Sequence, residues 1–158
     1  MSDARFEDGA EAPLKLKAET ADDLTVLSAL VQDAVLSGAD MTYDRTARRL
    51  ALLLNRFRWE DRAQAEAQRR PFERVRALLL ISDVLSVRLA GVEPGAPGTV
   101  LSLLGIGWVP GADGTGRLTL TLAGDGAIAV EVECLNLALS DVTRPYVAPS
   151  HKAPQHPQ

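Results

Sequence analysis

Leu118-Thr-Leu-Thr-Leu-Ala-Gly-Asp-Gly-Ala-Ile-Ala-Val-Glu-Val-Glu-Cys134 is the stretch that decides the fold class. Leu118, Leu120 and Leu122 alternate with Thr119 and Thr121, the two-residue period that sets one face of a strand on a core and the other in water. Gly124-Asp125-Gly126 then offers the positive φ values of a tight hairpin turn. The return strand repeats the pattern, with Ile128, Val130, Val132 and Cys134 on the dry face and Glu131 and Glu133 on the wet one. Cys134 is accordingly expected as a small core residue, as free cysteine usually is.

Working outward, the same period predicts a strand at residues 100–109, turned by the Gly/Pro cluster 110–114, and two more at 74–81 and 84–89. The first of these two is nearly continuous in apolar residues and is expected to lie centrally. Residues 41–43 and 50–57 read as a hairpin, with Leu50, Leu52 and Leu54 on one face, and residues 14–18 as a further strand. Residues 135–142 read as strand or terminal turn. One helix is predicted over 21–36. Thr20 is its N-cap with Asp23 three residues on, an acidic capping box, and Leu24, Leu27, Val31, Ala34 and Val35 form its apolar stripe. Gly38 is expected to end it. Periodicity leaves residues 60–71 open between a short exposed helix and a connection. The expected architecture is α+β: a mostly antiparallel sheet of about seven or eight strands, with the helix packed on one face.

The 158 residues, 46% hydrophobic and 24% charged, suit one folded domain, expected over 13–146. Residues 1–12 and the proline-rich 147–158 read as flexible tails. The formal charge of −4 argues against a dedicated nucleic-acid binder. Residues 1–11 lack the basic and apolar regions of a secretory signal, and no apolar run reaches membrane-spanning length, so a cytoplasmic setting is expected, with no membrane partner. The lone cysteine fits a reducing compartment.

No catalytic constellation emerges. The two histidines, His151 and His156, lie in the C-terminal tail without a scaffold, so neither acid/base nor metal work is assigned to them. Asp22 and Asp23 are accounted for by helix capping, and Glu131 and Glu133 by an exposed strand face. The glycine runs lack the helix start of a phosphate loop. No cofactor and no metal are expected.

Charge is the one skewed feature. Residues 45–76 hold ten arginines against four acids, whereas residues 1–40 hold nine acids against three bases. Arginine forks bind anions bidentately, so Arg45, Arg48, Arg49, Arg56, Arg58, Arg69, Arg70 and Arg74 are the candidate contact surface for an acidic protein or other polyanion. The competing reading is a solvated face. Phe57, Trp59 and Phe72 read equally as core pieces or stacking platforms. A non-enzymatic binding module follows. The alternative is a small-ligand binder or enzyme with a pocket between helix and sheet, lined by the polar residues Gln32, Asp33, Asn55 and Arg56 beside apolar stretches.

Four segments carry a family resemblance: Leu-Asn-Arg-Phe-Arg-Trp-Glu (54–60), Val-Gln-Asp-Ala-Val (31–35), Val-Leu-Ser-Leu-Leu (100–104) and Ile-Ala-Val-Glu-Val-Glu-Cys-Leu (128–135). In this order they resemble a bacterial, mainly alphaproteobacterial, family described as domain of unknown function 2948. The resemblance implies a small single-domain cytoplasmic protein and carries over no site residues. The Gly/Pro-rich stretch 93–98 and the long C-terminal tail depart from the family pattern.

Burying Leu24, Leu27 and Val31 should contribute about 1.5–3 kcal/mol each. Leu27→Asp is therefore expected to abolish cooperative folding. A circular-dichroism melt as sharp and as hot as the parent's would show the stripe to be misassigned.

Overall fold

A computed structural model of the chain describes residues 13–92 and 98–147. The predicted N-terminal tail, His151, His156 and most of the predicted C-terminal tail and 93–98 loop lie outside the described residues. The described chain is mostly β: eleven antiparallel strands and two short helices. In chain order the strands are β1 (Lys15–Ala18), β2 (Ala34–Ser37), β3 (Met41–Asp44), β4 (Arg49–Phe57), β5 (Glu73–Ile81), β6 (Val84–Ala90), β7 (Val100–Pro110), β8 (Gly116–Leu122), β9 (Ala127–Val132), β10 (Leu137–Asp141) and β11 (Tyr146–Val147). The helices are α1 (Ala21–Leu30) and α2 (Arg62–Ala67), the latter settling the open stretch as a 3-10 turn followed by helix.

The sheet runs β1-β10-β5-β4-β2-β7-β8-β9-β6, with β11 on β5 and β3 on β4. As expected, β5 is central, and β8 and β9 form the hairpin, with Leu120 opposite Ile128. The two halves of the sheet meet where β2 touches β4, through the single register pair Val35–Asn55. So slender a junction lets the sheet fold over on itself. Leu52 and Leu54 of β4, Leu79 and Ile81 of β5, Leu118 and Leu120 of β8 and Ile128 and Val130 of β9 thereby share one buried cluster.

The α+β expectation with a helix over 21–36 is corrected. The capping box forms as predicted, Thr20 Oγ1 accepting from Asp23 N at 3.1 Å while Asp23 accepts from Thr20 N at 3.3 Å. Leu24, Leu27 and Val31 are buried. The helix stops at Leu30, however, because Asp33 takes a left-handed φ of 63° and donates its backbone N–H to Leu103 O at 2.7 Å. Residues 34–37 then pair with 100–103 as strand β2. Ala34 is buried in either state, so its apolarity carries no helix signal, and Asp33 rather than Gly38 makes the break.

The helix also guards an edge. β2 covers β7 only as far as Leu103, and beyond it α1 takes over, Ser28 Oγ accepting from Ile106 N at 2.9 Å. Phe57 is buried, and the half-buried Trp59 and Phe72 rings pack against it with centroids 4.7 and 5.6 Å away.

Close approach explains Gly116 at the start of β8: a Cβ there would lie 2.7 Å from Val109 O and overlap the Trp108 ring. Gly116→Ala should cost about 1–3 kcal/mol by overpacking, lowering the melting temperature by roughly 2–10 °C. A melt unchanged within error would mean that Trp108 swings aside freely.

Candidate functional site

Strand alternation decides where the arginines go. Arg56 continues the inward phase of Leu50, Leu52 and Leu54 and is 0% exposed. A buried guanidinium survives only with its donors satisfied and its charge paired. Here Nε and Nη2 donate to the Asp141 carboxylate at 3.1 and 3.0 Å, Nη1 and Nη2 to Glu60 at 2.9 and 2.8 Å, and Nη1 to Phe57 O at 3.3 Å. Asp141 in turn accepts from Leu14 N, tying β1 into the same knot.

The charges propagate outward. Arg58 faces Glu60, Asp61 and Glu73, and Arg70 forms a two-pronged pair with Asp61. Burial works to raise the Glu60 pKa, but the hydrogen bond and charge of Arg56 outweigh it and hold the carboxyl below its ordinary range. The Arg70 hydrogen bond does the same for Asp61.

The remaining candidates separate. Arg74 lies on the opposite face from Arg56, donating Nε to Asn55 Oδ1 and Nη2 to Asn55 O, with Asp33 O at 3.5 Å. Asn55 Nδ2 donates to the Tyr146 hydroxyl, and Gln32 O accepts from Trp59 Nε1 at 2.9 Å. Gln32, Asp33 and Asn55 thus build the joint between β2 and β4. They do not converge with Arg56. A cleft of about 430 Å³ does open beside Arg56, but its walls are Pro13, Arg58, Asp141 and residues 142–145. Arg49 and Arg69 are exposed. Arg48 reaches Glu133 at 2.6 Å, and Arg45 stacks over the Tyr43 ring at 5.9 Å.

Arg45 and Arg48 mark a site that periodicity missed. β6 starts against the β3–β4 turn with one backbone bond, Val84 N to Arg48 O at 2.9 Å, and then parts from it. Among the described residues β6 pairs only with β9, and β3 only with β4. The opening between them is a cleft of about 370 Å³ lined by Tyr43, Arg45, Arg48 and residues 84–87. An apolar slot of about 160 Å³ adjoins it, sharing Tyr43 and Val87 and reaching the core residues Leu50 and Ile128. Leu85 stands 53% exposed at the rim, where the register of β6 slips.

The expectation of a buried Cys134 is corrected too. β9 ends at Val132, so its phase lapses before Cys134, which is exposed in the following turn and donates its thiol to Asp83 at 3.2 Å. That hydrogen bond and the Asp83 charge push the thiol pKa up, away from nucleophile chemistry.

These features define a mostly β protein with a buried ion network on one side and an open sheet edge on another. The family model described as Protein of unknown function (DUF2948) matches residues 14–156, and the chain belongs to that family. No curated protein and no solved structure matches it. No helix among the described residues is long and apolar enough to cross a membrane.

Arg56→Met should cost about 3–5 kcal/mol, since it strands a buried carboxylate. It should also flatten the acid limb of stability. Glu60 is held below its ordinary range by Arg56, so its contribution is whole above the unfolded carboxylate pKa, about 4, and is lost as pH falls through the native value, whereas the Asp61 contribution, set by Arg70 and Arg58, should persist in the variant. Urea midpoints measured from neutral pH downward test both effects; an unchanged midpoint and slope would remove Arg56 from the network.

Proposed function

We propose that the protein is a non-enzymatic interaction module whose contact surface is the face where β3 and β6 part. The observation that carries this reading is the open seam itself. A strand edge lies beside a slot that reaches the core, and a cleft next to it has Arg45 and Arg48 as its charged walls. Exposed edges and apolar openings of this kind serve recognition in many folds.

The arginine-rich contact surface expected over 45–76 narrows accordingly. Arg56, Arg58, Arg70 and Arg74 are occupied by carboxylates, an amide and backbone carbonyls; Arg45 and Arg48, the latter paired with Glu133, line the opening beside β6. The pocket reading built on Gln32, Asp33, Asn55 and Arg56 loses support, since those groups bind neighbours on two sides of the sheet. A cytoplasmic setting belongs to the proposal and is supported by the free, exposed thiol of Cys134, the chain's only cysteine.

A photo-crosslinking side chain placed at Leu85 should yield discrete adducts in lysate of the native cells, lost when Arg45→Glu is added. The same side chain at Thr121, on the exposed face of β8, should yield none of them. Identical adducts from both positions, or none from Leu85, would refute this surface.

A further inference from the structure

Resting on that reading, we infer that the occupant of the groove is an extended, acidic segment of a partner protein that adds to β6 as a further strand. Three observations lead there. The first is access to the backbone. β6 ends the strand order and, among the described residues, pairs with β9 alone, and its residues 84–87 line the cleft on the other side. From Ser86 to Ala90 this edge runs about 13 Å, enough for a short strand to pair along it.

The second is the contrast with other edges. β1, at the opposite end of the sheet, carries the exposed Lys15 and Lys17, the charges that discourage strand addition. On β7, α1 covers the edge at Ile106. β6 instead offers exposed Leu85, and of its residues only Arg88 is charged. This edge is the less guarded of the two ends.

The third is what the walls select. An added strand turns alternate side chains toward the slot, whose lining of Met41, Leu50, Val87, Leu89 and Ile128 accepts apolar groups. At the cleft end the charged walls are Arg45 and Arg48, both cationic. Arg48 is engaged by Glu133, whereas Arg45 lies exposed over Tyr43, so an incoming carboxylate meets Arg45. Self-pairing of β6 with a second copy would bring two such cationic clefts together, and like charges disfavour it.

The probes are fluorescein-labelled synthetic peptides of about eight residues in which valine alternates with glutamate and threonine. One companion has lysine for glutamate, and another has a central proline, which cannot donate to a ladder. With the full chain, anisotropy should rise saturably for the acidic peptide and the affinity should fall at least about tenfold for both companions. Arg45→Glu, checked by an unchanged melt, should reverse the preference toward the lysine peptide. Amide shifts on binding should cluster in β6 and β3. Equal binding of the proline peptide, shifts elsewhere, or no saturable binding would overturn strand addition. So would sedimentation as a dimer that Leu85→Lys dissolves, which would assign the edge to a second copy. Leu85 adducts without peptide binding would retain the surface and discard only the strand; loss of both would discard both.

Discussion

A guanidinium occupies a position where the alternation of β4 calls for another leucine, and much of the structure is arranged to make that tolerable. Arg56 has five N–H donors, and the carboxylates of Asp141 and Glu60 together with Phe57 O take all five. Such a group is costly to bury and costlier to leave half-satisfied, so the elements that supply its acceptors are held in one arrangement. Asp141 fixes the end of β10 against β4 and, through Leu14 N, against the start of β1. Glu60 fixes the turn by which the chain leaves β4 for α2. Its neighbours Asp61 and Glu73 then engage Arg58 and Arg70, so the chain returns into β5 through a web of opposite charges. Arg56, Arg58 and Arg70 are thereby architecture before they are surface, while Arg45, Arg49 and Arg69 stay exposed.

The same economy of contacts shapes the joint between the two halves of the sheet. β2 and β4 share a single register pair, and side chains complete what the ladder omits: Arg74 reaches both Asn55 and Asp33 O, and Trp59 reaches Gln32 O. A joint of this kind permits a sharp fold-over and brings both inner faces into one core. It also determines the edges. The halves end in β1 and β6, which are not hydrogen-bonded to each other, and the sheet remains open where a barrel would close.

Much of this was readable from residues alone. The β8–β9 hairpin followed from alternation around Gly124-Asp125-Gly126, and the α1 start followed from Thr20 and Asp23, because these signals are local and each names its own partner. β2 was hidden because Val31, Ala34 and Val35 continue the helical spacing of Leu24 and Leu27, while the residues that claim β2 as strand, 100–103, lie far along the chain. Cys134 misled because a period carries no notice of where a strand ends. Arg56 was the most instructive case. Counting charge placed it on a surface, but phase placed it inside, after Leu50, Leu52 and Leu54. Asp141 likewise follows Leu137 and Leu139 on alternate positions. Two opposite charges in the inward phase of two strands are a sequence signature of a buried ion pair, and composition averages it away.

What the chain offers a partner follows from what these interactions leave over. Two arginines at a cleft amount to a small electrostatic handle. Two phosphate contacts would give a salt slope of only about minus two, a small attraction beside a net charge of −4. Backbone pairing has no such limit, since each added residue of a strand brings main-chain hydrogen bonds regardless of charge, and the slot beside β6 supplies apolar burial in the same register. On this division the ladder provides affinity, and Arg45 decides which strands are accepted. The cation that matters for binding is then one of those that the buried network does not consume.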